Sequence, residues 1–103
     1  MPQYSPSMLK QLRADILAQV SFSSLPDDMT WWLLGTKGCH LCELAEQRLV
    51  EFQSVVPMSY INVDIADFDE PLMMQFATQI PVILTQNARL DFPFSVLDLQ
   101  NLL

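Results

Sequence analysis

The stretch GTKGCHLCELAEQRL, residues 35–49, holds both cysteines of the chain and its only histidine. It overlaps the end of a short apolar run, MTWWLLG (29–35), which stops at glycine, as expected of a central strand buried on both faces. From Cys39 onward the pattern is helical. Leu41, Leu44, Ala45, Arg48, Leu49 and Phe52 fall along one side, while Glu43, Glu46, Gln47 and Glu51 lie mainly on the other. A buried strand thus turns into a helix with two thiols at the turn. Such a pair can be core packing, half of a metal site, or a redox couple, and the rest of the chain decides between them.

Downstream, Pro57 disfavours helical geometry at Val56 and marks the restart, and MSYINVD (58–64) reads as a second strand. DFDEPLMMQFATQ (67–79) is a second helix, with acidic residues and Pro71 near its start, where both are best tolerated. PVILT (81–85) and RLDF (89–92) are two further strands, joined by QNA (86–88) as a hairpin turn. Ser95 with Asp98 resembles a capping box that opens a closing helix, VLDLQNLL (96–103). Upstream, residues 7–20 place Leu9, Leu12, Ile16, Leu17 and Val20 on one face of a helix with Ser7 as its N-cap, and SFSSLPDD (21–28) reads as a loop.

After residue 29 the order is therefore strand, helix, strand, helix, strand, strand, helix. A strand–helix–strand crossover followed by a hairpin gives a four-stranded mixed sheet with helices on its faces. The fold class is α/β, with an extra N-terminal helix: residues 1–28 form a helical extension and 29–103 the main domain.

At 103 residues, half of them hydrophobic, the chain has room for one domain with a single core. Its longest apolar run, WWLL, is far short of the roughly 20 residues a membrane span needs. The first 20 residues lack a basic start, a continuous apolar stretch and a small-residue cleavage site, so a cytoplasmic location is expected, where a permanent structural disulfide is improbable. Twelve acidic against five basic residues give a formal charge of −7, which would repel a phosphate backbone; no nucleic-acid or membrane partner is expected.

Position makes the thiols informative. Backbone N–H groups in the first turn of a helix lack intrahelical partners, and the positive end of the dipole favours a thiolate over a thiol. A free thiol has a pKa near 8.5, and one unit corresponds to ~1.4 kcal/mol. A helix terminus supplies ~0.3–1 kcal/mol, at best about 2, so the dipole alone accounts for about one unit. Lys37, the only basic side chain in the ten residues before Cys39, can add to that. Cys39, nearest the terminus, is the natural attacker. Cys42, one turn in, would resolve the mixed disulfide. Cys39 should then be partly exposed and Cys42 buried.

Gly35 and Gly38, the only glycines, flank the turn and suit a positive φ or a close approach. His40 is expected to be a neutral, exposed ring, since the dipole disfavours an imidazolium there. Glu43 and Glu46 would oppose a thiolate, but the helix is expected to direct them away from its first turn. A zinc site needs four ligands, and the chain has no further Cys or His, so no metal is expected.

LLGTKGCHLCELAEQRL, then INVD, then IPVIL about 40 residues after the cysteines, then FPF (92–94), resembles the glutaredoxin branch of the thioredoxin superfamily. It is closer still to the short bacterial glutaredoxin-like proteins, which share a G-C-H-L-C helix start, an I-P-V strand start and a W/F-P-F segment. The resemblance covers residues 30–103. It implies a thioredoxin-like, glutaredoxin-like sheet, with Cys39 as nucleophile and Cys42 as resolving thiol. It also implies that Pro81 is a cis-proline beside the pair, leaving the backbone of Ile80 to bind an extended substrate. Lys37, His40, Ile80 and Pro81 are thus the candidate substrate-binding residues.

The departures from glutaredoxins proper are also clear. His40 and Leu41 stand where those have Pro-Tyr, and LDFPFS where they have a Gly-Gly-Asp segment that helps hold glutathione. The activity implied is thiol–disulfide oxidoreduction on protein or small-molecule disulfides, with no resident cofactor and with glutathione or thioredoxin reductase as candidate electron donors. The alternative is a protein-binding module on the same fold with vestigial cysteines, for which Trp31–Trp32 and Met73–Met74 would be cited as sticky surface, although such pairs are more often core.

Overall fold

The computed structural model describes residues 6–20 and 29–103. The elements are α1 (Pro6–Gln19), β1 (Trp31–Gly35), α2 (His40–Gln53), β2 (Tyr60–Asp64), a 3-10 turn (Ile65–Asp67), α3 (Glu70–Phe76), β3 (Val82–Leu84), β4 (Arg89–Asp91) and α4 (Val96–Gln100). Spatial order in the sheet is β2-β1-β3-β4. β1 pairs parallel with β2, from Trp31 opposite Tyr60 to Gly35 opposite Asp64, and antiparallel with β3, where Leu34 faces Val82. β3 and β4 form the antiparallel hairpin. This is the mixed four-stranded sheet expected, with β1 inside it.

All five residues of β1 are buried, and their alternation feeds two cores. Trp32 and Leu34 join Val82 and Leu84 beneath Leu9, Leu12 and Ile16 of α1 and Leu72 and Phe76 of α3. Trp31 and Leu33, with Ile83, pack against Ala45, Leu49 and Phe52 of α2 and Leu99 of α4. Each large side chain so buried contributes about 1.5–3 kcal/mol. The tryptophan pair is therefore core on both faces. Met73 packs at the margin of the first core, whereas Met74 is 63% exposed.

The N-terminal helix shares the first core with the sheet. Asp69, the N-cap of α3, accepts from Leu72 N–H at 3.0 Å through Oδ1; its own N–H donates to Gln19 Oε1 at 2.6 Å, and Gln19 Nε2 donates to its Oδ2 at 3.2 Å. The Arg13 guanidinium lies 4.1 Å over the Trp32 ring, a favourable cation–aromatic contact.

Several local expectations are corrected. α1 begins at Pro6, so Ser7 lies inside the helix; proline is well suited to a helix start. Leu17 is 38% exposed because it sits on the flank of the stripe formed by Leu9, Leu12 and Ile16. Leu41, expected along the buried side of α2, is also exposed. The closing helix stops at Gln100, three residues short of the expected end, although its Ser95–Asp98 capping box is present. The turn after β3 owes its shape to Thr85, whose Oγ1 accepts from Asn87 N–H at 3.2 Å and Ala88 N–H at 2.9 Å. The loop expected at 21–28 lies outside the described residues. Among those described, no helix is long and apolar enough to cross a membrane.

Candidate functional site

β1 ends at Gly35, and residues 36–38 carry the chain to α2. Gly38 adopts φ 77°, a left-handed conformation that costs any other residue a steric clash. Cys39 is the N-cap of α2, with extended backbone (φ −87°, ψ 108°). Its Sγ accepts from Cys42 N–H at 3.2 Å, and its carbonyl accepts from Glu43 N–H at 3.2 Å. The sulfur thus takes the place usually held by a serine or aspartate oxygen, facing the unpartnered amides of the first turn. Cys39 and Cys42 are joined as a disulfide, with Cα atoms 5.2 Å apart.

The two glycines serve different purposes. A Cβ on Gly38 would meet nothing within 4 Å, so its requirement is conformational. A Cβ on Gly35 would stand 2.9 Å from Cys42 Sγ and 3.2 Å from Cys42 Cβ. Glycine at the end of β1 therefore makes room for the second cysteine.

Beside the disulfide lies a cavity of about 300 Å³, lined by the turn (Gly35 to Cys39), by Cys42, Glu43 and Glu46 of α2, and by Asn62, Val63 and Asp64 of β2 with Leu33 beneath. Lys37 is exposed and lines this cavity. His40 does not line it; its side chain is 80% exposed with Nδ1 4.0 Å from Glu43 Oε2. Cys39 and Cys42 are both half-buried, so the expected contrast in burial is absent: one turn into the helix, Cys42 still borders the open cavity.

The Ile80–Pro81 bond is cis. Pro81 is fully buried, and it is the residue that follows in register opposite Gly35, at the end of the sheet from which the cysteine turn departs. Its carbonyl accepts from Phe92 N–H at 3.1 Å. Ile80 N–H donates to Phe76 C=O at 3.0 Å as α3 ends, so the backbone group it has left for an extended substrate is its carbonyl. Neither residue lines the cavity. Phe92–Pro93 is a second cis bond, which the sequence did not indicate; the flanking Phe92 and Phe94 rings pack edge to face at 5.3 Å.

Glu43 and Glu46 were expected to face away, yet both line the cavity. Glu46 is held there by β2: Tyr60 Oη donates to its Oε2 at 2.9 Å and Asn62 Nδ2 at 2.8 Å. Burial first, and then the hydrogen bond and negative charge of Glu46, push the Tyr60 phenol up to about 12. The spacing of Cys42 and Glu46, four residues on one helix, was a usable signal for their shared face. Their partners on β2 were not readable, since they depend on strand register. Among the described residues, no group of three or more His, Cys, Asp or Glu side chains is arranged to hold a metal ion.

The sequence profile of the glutaredoxin-like domain (DUF836) matches residues 30–103. Among solved structures, the X-ray structure of a Northeast Structural Genomics target protein from X. campestris is similar, with a TM-score of 0.60 and 26% sequence identity. That match covers 70% of this chain and 92% of the other. The curated proteins returned no match.

Proposed function

The chain belongs to the glutaredoxin-like domain (DUF836) family and has a thioredoxin-like fold, and on that premise we propose that it is a thiol–disulfide oxidoreductase working through Cys39 and Cys42. The observation that carries this reading is the cysteine pair at the start of α2, with Cys39 Sγ already accepting a first-turn N–H. A thiolate at that position is favoured by the same amide and by the helix dipole.

In the reduced form the Cys39 thiolate attacks one sulfur of a substrate disulfide. A Cys39–substrate disulfide forms, the substrate S–S bond breaks, and the first thiolate leaves and takes a proton. Cys42, deprotonated, then attacks Cys39 Sγ, closes the intramolecular disulfide and expels the second substrate thiolate. Two electrons pass to the substrate, and a thiol or a flavin-dependent reductase must return them; glutathione and thioredoxin reductase are the candidate donors. Lys37, at the cavity rim, adds positive charge near the attacking sulfur. The carbonyl of Ile80 is the backbone group that would receive an extended substrate, and the exposed His40 in the first turn of α2 would meet a substrate beside the pair. The reaction suits a reducing bacterial cytoplasm.

The test is NADPH-coupled turnover of hydroxyethyl disulfide, with glutathione plus its reductase in one series and thioredoxin reductase in the other. Turnover is expected with at least one donor, abolished by Cys39→Ser. Absence of turnover with both donors would overturn the reading in favour of a protein-binding module on the same fold.

A further inference from the structure

Glu46 lies one helical turn beyond Cys42 and lines the same cavity as both cysteines. A glutamate on an exposed helix face ordinarily samples many rotamers, so its charge is diffuse to an approaching partner. Here the two β2 donors, Tyr60 Oη and Asn62 Nδ2, hold it in one place. The other carboxylates at the cavity are differently placed. Asp64 caps the following 3-10 turn through Ala66 N–H at 2.9 Å, and Glu43 is 73% exposed beside His40. Among the described residues, Lys37 is the only cationic side chain lining the cavity. A disulfide presented to the cysteines therefore meets two positioned carboxylates, Glu46 and Asp64, within a rim of negative excess, and Glu46 is the one carried on the cysteines' own helix.

We infer that Glu46 is a specificity-determining residue of the dithiol site, selecting disulfides carried on cationic polypeptide segments over anionic ones such as oxidised glutathione. The inference rests on the redox reading above. It also disfavours anionic glutathione as the electron donor. The chemistry is unchanged: the Cys39–Cys42 dithiol gives up two electrons, becomes the disulfide, and the substrate leaves as two thiols.

The experiment uses pre-reduced protein, free of other reductant, mixed with one of three disulfides and quenched in acid over a single turnover. The substrates are neutral hydroxyethyl disulfide and two disulfide-linked peptides of equal length, one flanked by lysines and one by glutamates. At low ionic strength the lysine peptide is expected to react about tenfold faster than the glutamate peptide, and the ratio should shrink as salt shortens the Debye length. Glu46→Gln keeps an oxygen for Tyr60 and Asn62 but removes the charge, and should lower the ratio about threefold. The ratio is the readout because a packing defect slows all substrates alike. Glu51→Gln, which removes one charge from α2 away from the cavity, should leave the ratio as it is. An unchanged ratio in Glu46→Gln, or an equal drop in both variants, would overturn the inference. Failure of the wild type to reduce the neutral disulfide would overturn the redox reading, and this inference with it.

Discussion

The two halves of α2 meet different surroundings. Its start presents Cys39, Cys42 and Glu46 to an open cavity, while Ala45, Leu49 and Phe52 on the same helix are buried at 1% exposure or less. Phe52 stacks on Trp31 at a centroid distance of 5.8 Å, and Trp31 opens the very strand whose far end delivers the cysteine turn. The buried half thus locks helix to strand, and the turn between them inherits its geometry. The exposed Arg48–Glu51 ion pair, at 2.7 Å, adds little by comparison. The lesson is that stability and chemistry occupy one helix but rest on separate residues.

The largest effect should come from the buried half. Phe52→Ala is expected to cost about 3–5 kcal/mol in urea denaturation, from lost burial and the cavity left behind. Alkylation of reduced Cys39 in the folded fraction should nevertheless stay within about twofold of wild type. A parallel collapse in reactivity would break the separation.

Gly35→Ala acts where the halves touch. The added methyl would sit 2.9 Å from Cys42 Sγ, so the helix start or the strand end must shift, at a cost of about 1–3 kcal/mol. Denaturation of the oxidised and reduced forms measures it. A neutral result would mean that Cys42 is not seated against β1.

The smallest effect belongs to Tyr60, which ties the reactive half to β2. Its phenol is raised from 10.0 to about 12 by burial and by Glu46. The neutral phenol is therefore favoured in the fold, and its contribution is complete below pH 10, where the unfolded chain also stays protonated. Between pH 10 and 12 the unfolded state ionises first and that contribution is lost. After allowance for solvent screening this amounts to about 1 kcal/mol. Tyr60→Phe should flatten the fall in stability across that window relative to wild type, as followed by urea denaturation at stepped pH. Identical slopes would mean that the Tyr60–Glu46 bond does not form in solution.

Much of this was legible in local signals. WWLLG is apolar throughout because both faces of β1 are covered, and a run of that kind has few other uses in a chain this short. Ser95 and Asp98 announced their helix start because a capping box is closed by residues three apart. Where several elements compete for one side chain, local pattern was insufficient. Leu17 and Leu41 fit a helical stripe yet are exposed, and Met74 emerged from its helix while Met73 stayed half-buried.

By itself the sequence determined the element order, the central strand, the cysteine pair at a helix start and the two glycines that flank it. These are properties of short segments, set by periodicity, capping and backbone sterics. Only the tertiary structure decided what surrounds the pair. Parallel register places Asn62 opposite Leu33 and brings β2 alongside α2, so that Tyr60 and Asn62 close on Glu46. Packing of the strand end against Cys42 decides why Gly35 is glycine. Such contacts join residues distant along the chain, and their partners are selected by how sheet and helix pack rather than by any local preference of the residues involved.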